Sequence, residues 1–82
     1  MLKGIIKGNI VSTRKQDSLI GNKFMEVEII ENNKPTGKYI IAIDSVGAGI
    51  GEVVLITTGS SARLALHNQN TPTDAVIVGI VD

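Results

Sequence analysis

From Lys3 onward, hydrophobic side chains recur at every second position over short stretches, the period of a β-strand whose side chains point to alternate faces. Five such stretches predict five strands, at about Lys3 to Thr13, Lys23 to Ile30, Lys38 to Asp44, Glu52 to Thr57 and Ala75 to Val81. Between the second and third, Glu31 to Gly37 carries Asn, Pro and Gly in the order of a hairpin turn, which makes these strands antiparallel neighbours. After the fourth, Gly59-Ser60-Ser61 offers a serine N-cap and Ala62 to His67 supplies helix formers. A helix of about two turns is expected there, ended by Asn68 to Pro72.

The alternation also counts buried faces. In the second strand Met25, Val27 and Ile29 alternate with Glu26 and Glu28, one dry face against one wet face. The third strand sets Tyr39, Ile41 and Ile43 against Ile40 and Ala42; the fourth sets Val53 and Leu55 against Val54 and Ile56; the fifth sets Ala75, Ile77 and Val81 against Val76, Val78 and Ile80. Both faces of these three strands are apolar, yet a small barrel has one interior. A short helix can cover part of the outer face with Leu64 or Leu66, and the remainder is enough apolar surface to drive association between copies.

Eighty-two residues without a repeat, linker or low-complexity tract make one domain, 1–82, of a size that is marginal on its own. The fold class is all-β, a small five-stranded barrel of the oligonucleotide-binding kind with one short helix between strands 4 and 5. With no cysteine and His67 as the lone histidine, neither disulfides nor structural zinc can reinforce it, which leaves oligomerisation. Neither a signal peptide nor an apolar run of membrane-spanning length is evident, so a cytoplasmic location is expected. Charge cancels overall but not locally. Residues 1–41 hold seven basic and four acidic side chains, and residues 42–82 hold one basic and four acidic, so the halves are complementary in sign.

Candidate chemistry is thin. Asp44 to Glu52 contains Gly47, Gly49 and Gly51, a backbone suited to positive φ and close approach. In the phosphate-binding pattern G-x-G-x-x-G the third glycine would fall on Glu52, whose carboxylate repels a pyrophosphate. Ser60 and Ser61 sit outside any nucleophile elbow and are explained as helix caps. Arg63 is the one cation after Lys38, and a bidentate pair with Asp44, Glu52 or Asp74, within or between subunits, is its expected role. No acid, base and nucleophile set converges, so the chain is not expected to be an enzyme and no cofactor or metal is expected. Phe24 and Tyr39 are the only aromatics and net charge is zero, which supplies neither stacking nor phosphate attraction for nucleic acid.

Gly4 to Lys15, Leu19 to Phe24, Ala42 to Leu55, Gly59 to Arg63 and Asp74 to Asp82, taken in order, resemble the bacterial microcompartment vertex proteins of the EutN and CcmL type. The resemblance covers nearly the whole chain. It implies a homopentamer of five-stranded barrels, without membrane or nucleic-acid partners, that caps the five-fold corners of a polyhedral shell otherwise tiled by hexameric shell proteins. It further implies that Asp44, Gly47, Ala48, Gly49, Gly51 and Glu52, with Gly59, Ser60, Ser61 and Arg63, belong to the contacts between subunits. The competing reading is a monomeric or dimeric OB-like module that binds nucleic acid or peptide.

Overall fold

In the computed structural model, which describes residues 1–11, 15–66 and 71–82, the chain forms strands β1 (Leu2–Ile10), β2 (Phe24–Glu31), β3 (Lys34–Asp44), β4 (Val53–Thr58) and β5 (Ala75–Ile80). One short helix, α1 (Ser60–Leu64), separates β4 from β5, and a single 3-10 turn at Asp17–Leu19, not foreseen in the sequence, precedes β2. The strands close into a barrel in the order β1-β2-β3-β5-β4. Every pair is antiparallel except β3 with β5, which run parallel and meet only at Ile43–Val76 and Asp44–Ile77.

The alternating positions fill the interior. Ile6, Met25, Val27, Ile29, Ala42, Val54, Ile56, Ala75 and Ile77 form one buried cluster, with Ile40 packed against it. β-Branched side chains dominate this set because they fit a pleated, half-buried surface at little conformational cost. Gly4 is buried among them. A Cβ there would strike the Val27 side chain and come within 2.8 Å of the Glu28 carbonyl, so β1 and β2 approach as closely as they do because this position has no side chain.

A second, smaller cluster lies outside the barrel, where Ile43, Val76 and Ala62 of α1 are buried with Leu19, Phe24, Leu66 and Val78 packed around them. Leu66 takes part in this cover, whereas Leu64 turns to solvent at 67% exposure. The cover reaches Ile43 and stops. Further along the same face of β3, Ile41 and Tyr39 remain 55% and 52% exposed.

The structure departs from the sequence reading at five places. The hairpin is tighter than expected: Asn32 and Asn33 alone turn it, at φ 52° and 61°, and pairing resumes at Glu31–Lys34. Asparagine tolerates this left-handed region, and two such residues make the turn whose twist matches the strands. Pro35 to Gly37 therefore belongs to β3, where a bulge sets Ile30 opposite Pro35 and Glu28 opposite Tyr39, with Gly37 at φ 77°. That bulge also corrects the wet face of β2. Glu28 is only 7% exposed, because its carboxylate accepts the Gly37 N–H at 3.0 Å and stands 3.5 Å from the Lys7 ammonium. In β5 the alternation breaks where Leu55 faces Gly79 but Ile56 faces Ile77, which leaves Val78 as an extra residue. The expected end of the first strand is also early, at Ile10, and Ser12 and Thr13 lie outside the described residues.

The fifth departure is the helix. It spans Ser60–Leu64 rather than two turns from Ala62, and neither serine caps it. Gly59 occupies the N-cap at φ 70°, ψ −156°, a conformation essentially restricted to glycine. Ser61 Oγ instead donates to the Thr58 carbonyl at 2.9 Å and lies 3.2 Å from Thr57 Oγ1. His67 and the expected stop at Asn68 to Asn70 lie outside the described residues.

Candidate subunit interface

The ten residues singled out by the sequence fall into two segments, and the fold places them at the two ends of β4. The loop from Asp44 to Glu52 enters β4, and Gly59 to Arg63 leaves it. The two segments are thus linked by one strand rather than gathered into a single cleft.

The entering loop is built on two carboxylates. Asp44 Oδ1 accepts the N–H groups of Val46 and Gly47 at 3.0 and 3.1 Å, and Oδ2 accepts that of Ala48 at 3.0 Å. Glu52 Oε1 accepts the Gly49 N–H at 2.6 Å, while the Glu52 N–H donates back to the Gly49 carbonyl at 3.1 Å. Gly47 and Gly51 stand at φ 80° and 90°, so these two glycines are required by backbone conformation. Gly49 is not at positive φ. A Cβ on it would meet only Glu52 Oε1, at 3.3 Å.

The loop is further pinned to the barrel. Gly51 N–H donates to the Ile6 carbonyl at 2.8 Å, Ile6 N–H donates to the Glu52 carbonyl at 3.0 Å, and Ser45 Oγ donates to the Ile77 carbonyl at 2.6 Å. Ala48 is buried in the main core and so ties the loop to the barrel interior. Four successive amides, from Val46 to Gly49, are therefore already bonded to this chain's own carboxylates. A phosphate would have to displace two anions to reach them, which gives the glycine pattern a structural explanation other than phosphate binding.

At the other end of β4, Gly59 N–H donates to the Asp74 carbonyl at 2.9 Å and fixes the strand exit to the start of β5. Ser60 and Ser61 are exposed, and Arg63 is half-buried. Among the described residues the ion pair is Lys7 with Glu28; Arg63 makes none with Asp44, Glu52 or Asp74. Of the pairings the sequence left open for Arg63, the one within the chain is thus not formed.

No cluster of His, Cys, Asp and Glu able to hold a metal ion occurs among the described residues. An open groove between the 3-10 turn and α1 is lined by Asp17, Asn22, Asp44, Ser45, Leu66 and Thr71. Of its two carboxylates, that of Asp44 is committed to the loop.

Comparison with known proteins decides the family. The sequence profile described as "Ethanolamine utilisation protein EutN/carboxysome" matches residues 1–82. The chain belongs to the EutN/CcmL family. Among members, the carboxysome shell vertex protein CcmL of Gloeobacter violaceus is 41% identical over 80 residues, covering 96% of this chain and 80% of the relative. The microcompartment shell vertex protein EutN of Salmonella typhimurium is 42% identical over 83 residues, covering 100% of this chain and 84% of the relative. In structure, the Gloeobacter CcmL superposes with a TM-score of 0.95 at 40% identity, covering all of this chain and 86% of the other. The pentameric shell protein GrpN of Rhodospirillum rubrum superposes with a TM-score of 0.90 at 41% identity, covering all of this chain and 94% of the other. The barrel with its short helix thus superposes on these members over the whole of this chain.

Proposed function

We propose that this chain is a structural shell protein that assembles as a homopentamer and occupies the five-fold vertices of a bacterial microcompartment within the cytoplasm. The observation that supports this reading is family membership across residues 1–82, together with close structural likeness to a relative described as pentameric. The physical rationale is geometric. Six-fold tiles alone form a flat sheet, and a cyclic five-membered unit placed among them supplies curvature that lets the sheet close. Heterologous contacts produce such a ring when the rotation between neighbours closes after five copies. Hexameric shell proteins are the partners this role requires, and the role requires neither catalysis nor cofactor.

Within the ring, both ends of β4 are assigned to contacts between subunits. Asp44, Ala48 and Glu52 hold the shape of the entering loop from inside. Gly47, Gly49 and Gly51 present that loop to the neighbour, and Gly59, Ser60, Ser61 and Arg63 present the other end. Arg63, which has no ionic partner among the described residues, pairs with a carboxylate of the adjacent copy.

Native mass spectrometry of the isolated protein is expected to give five times the 8.7 kDa chain mass. Coexpression with a hexameric shell protein is expected to yield closed particles by electron microscopy, and sheets or tubes when this chain is omitted. A monomer or dimer that binds oligonucleotide would replace this reading with that of an OB-like binding module.

A further inference from the structure

The hairpin turn and the body of the barrel specify different pairings of β2 with β3. Closing at Asn32 and Asn33, the turn sets Glu31 opposite Lys34 and Ile30 opposite Pro35; continued along the strands, that register would bring Tyr39 opposite Glu26 and Ile41 opposite Phe24. In the barrel β3 is displaced by two residues: Tyr39 faces Glu28, Ile41 faces Glu26 and Ile43 faces Phe24. The bulge takes up the difference, with Thr36, Gly37 and Lys38 spanning what Ile29 alone spans on β2. A slip of one residue would turn every side chain to the other face, but a slip of two keeps each on its own. The apolar pattern of β3 gives little protection against it. Ile41 would replace Ile43, Tyr39 would replace Ile41, and Ile40 would replace the smaller Ala42 in the core. Lys38 would take the half-buried place of Ile40, where a lysine stem lies along apolar surface while its ammonium reaches water.

We propose that Glu28 and Thr36 form a register latch, a conformational device that holds the hairpin in the second of two pairings its sequence permits. The latch belongs to one chain by itself, whatever its assembly. Glu28 Oε2 accepts the Gly37 N–H at 3.0 Å, while Thr36 Oγ1 donates to the Ile29 carbonyl at 2.7 Å and accepts the Lys38 N–H at 3.2 Å. Three backbone groups in and opposite the bulge are thus bonded to side chains, and a bulge without them would leave polar groups to find other partners. Lys7 of β1 stands 3.5 Å from Glu28 Oε1 and ties the latch to the neighbouring strand. In the slipped pairing Thr36 and Gly37 would lie opposite Ile29 and Glu28 as ordinary ladder residues, so these bonds favour the bulged form alone. What the latch protects is at the far end of β3. Ile43 and Asp44 pair with Val76 and Ile77 of β5, and Asp44 is the carboxylate on which the loop into β4 is built. A slip of two residues pushes both out of that pairing and into the loop. The bulge at one end of β3 therefore sets where the loop begins at the other.

The chain contains no cysteine, so introduced pairs report the pairing without background. Directly opposite positions of an antiparallel pair lie within reach of a disulfide, whereas positions two residues out of register do not. Glu26→Cys with Ile41→Cys therefore reads the observed pairing, and Glu26→Cys with Tyr39→Cys reads the slipped one. Glu26→Cys with Ile43→Cys, offset by two residues in the opposite sense, controls for general loosening. In the otherwise natural chain the first pair is expected to close under mild oxidation and the other two to stay open, read by peptide mass. Adding Glu28→Ala is expected to speed closure of the slipped pair roughly tenfold or more, the effect of losing one hydrogen bond to a charged group. The opposite-sense pair stays slow. Glu28→Gln keeps an acceptor for the Gly37 N–H and is expected to hold the slipped pair near its natural rate. Should Glu28→Ala fail to fold, Thr36→Val removes the other half of the latch and carries the same comparison. A slipped pair that stays open in the folded variant, or that closes no faster than the opposite-sense control, would overturn the latch.

Discussion

Single residues in this chain hold the barrel by what they lack or by what they accept. Gly4 permits the close pairing of β1 with β2, and Gly4→Ala forces a methyl group against Val27 and the Glu28 carbonyl. A loss of about 1–3 kcal/mol is expected from such overpacking, read as a lower midpoint in urea unfolding. Asp44 satisfies three amides at once. Asp44→Ala is expected to destabilise by roughly 2 kcal/mol, since charge-assisted bonds to an unreplaced acceptor are lost while water compensates at the exposed loop. Hydrogen exchange at Val46, Gly47 and Ala48 should accelerate together, and unchanged exchange would show that the carboxylate does not hold the loop. Because the same amides are occupied, titration with inorganic phosphate is expected to leave the resonances of residues 46–49 unmoved. The sequence identified this loop as a special conformation and set phosphate aside on the charge of Glu52. It did not reveal that both acids fold inward, because an Asp or Glu beside glycines is equally suited to solvent, to a partner or to its own backbone.

At the scale of elements, periodicity located all five strands to within a few residues, and the chain's own chemistry explains where it failed. Turn and bulge positions carried the errors. Asn32-Asn33 and Gly37 both accommodate positive φ, and which of them turns the hairpin depends on how β3 is held by β2 and by Glu28. The helix was legible as a helix, but the capping residue was not. Glycine at 59 sets the entry by backbone conformation, so Ser60→Ala is expected to change stability by less than about 0.5 kcal/mol, the range of a surface substitution. Gly59→Ala should cost about 1–3 kcal/mol through strain at its φ and ψ. Thermal unfolding of the two variants separates these accounts, and the reverse order of effects would restore the serine cap. The covering of Glu28 by Gly37 and Lys7 left no sequence signal, since its alternation with Met25 and Val27 is that of any solvent-facing strand residue.

For the whole molecule, the excess of aliphatic side chains on both faces of the later strands was readable from the sequence, but its division was not. The second cluster around Ile43 and Val76 absorbs part of it under α1 and Leu19, contacts that depend on how far a short helix reaches over the sheet. The rest stays in water. Burying an isoleucine contributes roughly 1.5–3 kcal/mol, and Ile41 at 55% exposure realises only about half of that within one chain. Membership of the EutN/CcmL family supplies the setting in which such a deficit is made good by a neighbour. Stability should accordingly rise with protein concentration, and an unfolding temperature independent of dilution would count against a linked assembly. β3 pairs with β5 at Ile43 and Asp44 alone, so among the described residues its border up to Ala42 is open on that side. Lys34 and Pro35 stand at the start of that border, where a charge and a missing N–H deter other strands, and the one further charge before the apolar run Tyr39-Ile40-Ile41 is Lys38. A newly made chain waiting for its neighbours is consequently sticky along this stretch, so a shortage of correct mates during synthesis would favour fibrous or amorphous clumping seeded at Tyr39-Ile40-Ile41, and a lysine at position 41 would keep orphaned chains dispersed.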